Sequence, residues 1–96
     1  CPKKEYVDKK VSVKLEKVME NRKPVVLGEG FEKVISFYDD EMENKYSAQV
    51  IAPIITEGDA IGAVLIMATE PGVKFGNLEL KLAETAASFL GKQMEQ

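Results

Sequence analysis

Apolar residues Val11, Leu15, Val18 and Met19 recur at i, i+4, i+7 and i+8, the spacing of one stripe along a helix. Ser12 stands at the head of that stripe, where its hydroxyl can accept an N–H left open by the first turn. The helix is expected to stop before Pro24, because proline pushes its predecessor Lys23 toward extended geometry. Pro24-Val25-Val26-Leu27 then reads as a short strand closed by a turn at Gly28-Glu29-Gly30. Lys33-Val34-Ile35-Ser36-Phe37-Tyr38 is rich in β-branched and aromatic residues and halts at Asp39-Asp40, so it too predicts a strand.

Positions 46–56 are apolar at nearly every residue past Gln49, as expected of a strand covered on both faces near the middle of a sheet. Pro53 within it predicts a bulge or an irregular ladder. Glu57-Gly58-Asp59 makes a tight turn, and Ala60-Ile61-Gly62-Ala63-Val64-Leu65-Ile66-Met67 returns as the partner strand. Glu70-Pro71-Gly72 ends that strand, and Asn77 is placed to cap a helix running to the last residues.

The last helix carries two apolar arcs. Leu78, Leu82, Ala86 and Phe89 lie on one, and Leu80, Ala83, Ala87, Leu90 and Met94 on the other. Together they span roughly 200°, wider than the ~100° stripe a helix needs to lie on a single sheet, so the helix calls for two neighbours. The second arc steps 3, 4, 3, 4, the spacing of an interhelical seam. A partner helix from another chain or from upstream sequence is therefore expected on Leu80, Ala83, Ala87, Leu90 and Met94.

Composition narrows the function. At 96 residues with 45% hydrophobic and 30% charged side chains, the chain is one globular domain with a single core. A lone cysteine, Cys1, cannot form an intramolecular disulfide, which fits a reducing, cytoplasmic setting, and no long apolar run predicts a membrane span or a signal peptide. Histidine is absent, which removes the commonest general base and the usual zinc ligand. Residues 1–24 carry a net +4 and residues 25–96 a net −7, and the basic part has no aromatic interleaving, so direct nucleic-acid binding is not expected.

No catalytic constellation emerges from the seven serines and threonines, none of which lies in a Gly-x-Ser-x-Gly elbow. The acidic run Asp39, Asp40, Glu41, Glu43, Asn44 lacks the ligand register and central glycine of a calcium loop. Gly28-Glu29-Gly30 lacks the further glycine of a dinucleotide fingerprint. No enzyme, metal site or cofactor is predicted. Phe31, Ile35, Phe37, Tyr38 and Tyr46 gather most of the aromatic side chains around one segment, a candidate apolar pocket for a small molecule, with core packing as the competing reading.

The run Ala52-Pro53-Ile54-Ile55-Thr56-Glu57-Gly58-Asp59-Ala60-Ile61-Gly62-Ala63-Val64 resembles the central hairpin of a GAF domain. The ending Ala83-Glu84-Thr85-Ala86-Ala87-Ser88-Phe89-Leu90-Gly91-Lys92-Gln93-Met94-Glu95-Gln96 is similar to the C-terminus of AbrB-type transcription regulators of spore-forming bacteria, and Lys3-Lys4-Glu5-Tyr6 with the following helix also fits. The resemblance covers essentially the whole chain. It implies an α+β fold, a GAF-like antiparallel sheet flanked by helices, N-terminally truncated, with residues 1–96 a partial GAF domain and DNA contacted only through a separate AbrB-like domain. It further implies a regulatory role with self-association, as dimer or tetramer, through the C-terminal helix, and a pocket whose ligand is not specified. Asn44-Lys45 matches the start of the cyclic-nucleotide GAF motif, but its continuation is missing, so a cyclic nucleotide is not implied. The alternative is a monomeric sensor of a small molecule or ion with no assembly role.

Overall fold

The computed structural model describes residues 11–38 and 45–95. They form α1 (Val13–Asn21), β1 (Val25–Gly28), β2 (Ala48–Thr56), β3 (Asp59–Ala68) and α2 (Asn77–Gln93). The strands make one antiparallel sheet in the order β1-β2-β3, so the architecture is α+β as predicted. The Lys-rich start, Cys1 and the acidic run at 39–44 lie outside the described residues.

Ser12 caps α1 as expected, its Oγ accepting the Leu15 N–H at 3.1 Å. The helix ends at Arg22, which takes a left-handed conformation and donates its N–H to the Met19 carbonyl. Arg22 Nε also donates to the Gly58 carbonyl at 2.8 Å and so ties the end of α1 to the β2–β3 turn. The accompanying ion pair to Asp59, at 4.0 Å and well exposed, adds little.

That turn has positive φ at both central residues, 52° at Glu57 and 87° at Gly58. This is the two-residue loop whose twist matches the strands it joins. Pairing then runs from Thr56↔Asp59 to Ala48↔Ala68, with the register shifting between Ile54 and Ile55, where Ile61 is the extra residue. The irregularity expected at Pro53 therefore falls one step further on. On the other side of β2 the ladder stops at Val25↔Ile51. Continuing it would set Pro24, which has no N–H, against Ala52 and bring the chain alongside Pro53.

Alternation along β2 feeds two cores. Val50, Ala52 and Ile54 face α2 and pack with Ala83 and Ala87, while Ile51 faces the opposite way into a cluster with Leu15, Leu27 and Phe37. All of Ala48 to Ile54 is buried, which confirms a strand covered on both faces.

Two expectations are corrected. Residues 33–38 do not form a strand; only isolated bridges, Leu27↔Glu32 and Val11↔Tyr38, mark the ends of that segment. Their β-branched and aromatic side chains are used for packing on the cluster rather than for a ladder. The cap of α2 is Gly76 rather than Asn77, because the Glu79 carboxylate accepts the Gly76 N–H at 2.8 Å and so fixes the start one residue earlier.

At the far end of α2, Gly91 lies against the backbone of β2, and a Cβ there would overlap the Ile55 carbonyl oxygen. Thr56 Oγ1 donates to the Gly91 carbonyl at 3.1 Å across the same contact. In an open helix Gly→Ala stabilises by about 1 kcal/mol, so the sign of this substitution is diagnostic. Gly91→Ala is expected to destabilise by about 2 kcal/mol in urea unfolding, the overpacking range. Glu57→Asn, which suits the left-handed turn position, is expected to stabilise by about 0.5 kcal/mol in the same assay.

Candidate functional site

The five residues singled out as a pocket divide in the structure. Phe37 is 5% exposed and forms part of the cluster with Leu15, Leu27 and Ile51. Its ring lies 5.2 Å from that of Tyr46, tilted by 40°. Ile35, Tyr38 and Tyr46 are partly buried around it. Phe31, 54% exposed, does not join them.

What holds this group in place is polar. The Ser12 N–H donates to the Phe37 carbonyl at 2.9 Å and the Ser12 Oγ to the Ser36 carbonyl at 2.6 Å. Gln49, reaching up from β2, bonds both the N–H and the carbonyl of Ile35. Gln49 was not among the expected site residues, although the sequence carried a signal: it is the one polar side chain between Ala48 and Ile55.

A separate cleft of about 420 Å³ opens between α2 and the notch that the two prolines leave beside β2. Pro24, Pro53, Ile55 and Ala87 supply its apolar walls, and Glu84 and Lys92 stand at its rim. None of the five aromatic-segment residues lines it.

The seam drawn on α2 is also redistributed. Ala83 and Ala87, 0% and 4% exposed, are buried against this chain's own sheet, and Leu80 packs beside them. Small side chains let the helix axis approach the strands, so this arc is the intramolecular one at these three positions. Leu90 and Met94 keep exposed surface, and the other arc is open, with Leu78 at 70%, Leu82 at 57% and Phe89 at 62%. Spacing alone cannot tell which of two apolar arcs meets the sheet; here residue size decides it.

Among the described residues no three cysteine or carboxylate side chains gather in a way that could hold a metal ion, and no helix is long and apolar enough to cross a membrane. Comparison with known proteins gives one family: the model of the stage V sporulation protein T C-terminal region, described as a transcription factor, matches residues 1–95. The chain belongs to that family. Stage V sporulation protein T of Bacillus subtilis (strain 168) is 38% identical over 95 residues, which covers 98% of this chain and 50% of the relative. The chain thus spans about half the length of the curated relative it matches.

In this sporulation protein T C-terminal fold, buried and exposed aromatic residues should separate cleanly by stability. Phe37→Ala is expected to cost about 3 to 4 kcal/mol and Phe31→Ala less than about 0.5 kcal/mol, measured by chemical denaturation. A large loss at Phe31 would mean that it packs in solution.

Proposed function

We propose that this chain is the regulatory and assembly module of a sporulation transcription factor, a GAF-type domain that pairs subunits through α2 and responds to a small molecule held near Phe37, Tyr38 and Tyr46. The membership of a transcription-factor family supports the regulatory part. Contact with DNA belongs, on this reading, to sequence outside this chain, since its body is acidic.

The observation that carries the assembly part is the open arc of α2. Leu78, Leu82 and Phe89 put three large apolar side chains on one exposed face of the helix, and Leu90 and Met94 keep exposed surface toward its end. A contiguous exposed patch of this kind marks an interaction surface more often than a free one. Leu78, Leu82 and Phe89 fall at four- and seven-residue steps, which suits a helix from a second copy.

Light scattering over a concentration series tests this. The wild type is expected to be a dimer or larger at tens of micromolar, and the double variant Leu82→Asp with Phe89→Asp a monomer with an unchanged circular dichroism spectrum. Both residues are exposed, so the substitutions leave the intramolecular core alone. A wild type that stays monomeric would favour the monomeric sensor, and a small molecule that raises its melting temperature would then identify the ligand class.

A further inference from the structure

The Gln49 side chain is 0% exposed, yet both ends of its amide are satisfied by a single residue. Nε2 donates to the Ile35 carbonyl at 2.7 Å, and Oε1 accepts the Ile35 N–H at 3.0 Å. This is the double exchange that two residues of neighbouring antiparallel strands make, with a side chain standing in for one backbone. The segment it holds has regular pairing only as isolated bridges at Glu32 and Tyr38. Ser12 is the second attachment. Its N–H and Oγ bond the Phe37 and Ser36 carbonyls, while the same Oγ accepts the Leu15 N–H in the first turn of α1.

We propose that residues 32–38 form a strap that opens as one unit over the cluster around Phe37, with Gln49 as the positioning residue of its closed state and Ser12 as the link that passes opening to the start of α1. Opening the strap releases the Gln49 and Ser12 bonds and draws Phe37 away from Leu15, Leu27 and Ile51, but leaves the β2–β3 ladder and the α2 core intact. Sub-global openings of contiguous segments occur at free energies below that of the global transition. The strap's role in admitting a ligand rests on the reading above, whereas its opening is a property of the free chain.

The geometry names its own reporters: the amides of Ile35 and Ser12, whose acceptors are Gln49 Oε1 and the Phe37 carbonyl, and the amide of Leu15, whose acceptor is the Ser12 hydroxyl. Native-state hydrogen exchange of the wild-type chain under graded urea is expected to put Ile35 and Ser12 on one shared opening isotherm, below that of the β2–β3 amides. Gln49→Met, similar in shape but unable to bond the strap, is expected to raise exchange at both amides by about tenfold or more, with Leu15 following and the β2–β3 amides unmoved. Should the variant fail to fold, the wild-type isotherms decide alone. Ile35 exchanging only by global unfolding, or Ile35 and Ser12 opening independently, overturns the proposal. These measurements use no ligand, so they leave the sensing reading to its own test.

Discussion

Everything in this domain hangs on β2 being buried from both sides. A strand with apolar residues on both faces cannot lie at a surface, so the chain must supply two covers, and it does so with very different materials. Val50, Ala52 and Ile54 receive a regular 17-residue helix. The opposite face receives a nine-residue helix and an irregular segment. The ladder bonds of β2 to β3 and β1 hold the platform between them, and the Arg22 bond to Gly58 fastens the shorter helix to the hairpin.

The irregular cover follows from a short β1 and one buried amide. Pro24 before β1 and Pro53 in β2 close the ladder at Val25↔Ile51, and its other end is Gly28↔Ala48, where β2 begins, so β1 is four residues long. The chain then turns through bonds from the Phe31 N–H to Gly28 and from the Gly28 N–H to Glu32, and crosses the face of the sheet rather than joining its plane. A backbone crossing a sheet face still has polar groups to satisfy. Gln49 and Ser12 satisfy several of them, which explains why a fully buried glutamine is tolerated in an otherwise apolar strand.

Much of the fold was legible because local signals agreed with tertiary need. The Ser12 cap, the end of α1 ahead of Pro24, the Glu57-Gly58 turn and the doubly covered β2 all follow from residue chemistry within a few positions. Segment 33–38 was misread because its β propensity is real but its partner is a side chain 14 residues away, which no local pattern reports. The two arcs of α2 were visible, but their assignment depended on which side chains are small enough to seat against β2, a question of depth rather than period. Ile35, Phe37, Tyr38 and Tyr46 pack in one cluster, whereas Phe31 belongs to their sequence neighbourhood and not to their packing. Gln49 was overlooked because a single polar residue in a buried strand has no motif, only a mismatch with its surroundings.

Opposite covers on one strand also give the proposed module a route between its two tasks. Gln49 and Val50 are adjacent in β2, one bonded to the strap and the other packed beneath α2. At the end of the same strand, Ile55 and Thr56 meet Gly91 with no space to spare. A closely packed interior does not absorb small displacements but passes them on. On the proposed reading, a ligand that lifted the strap would therefore act on β2, and β2 would bear on the helix whose open face pairs subunits. Ala83 and Ala87 seat α2 closely on the sheet and Gly91 meets the Ile55 backbone, whereas the large residues on the outer face stay exposed, where on the proposed reading a partner would cover them.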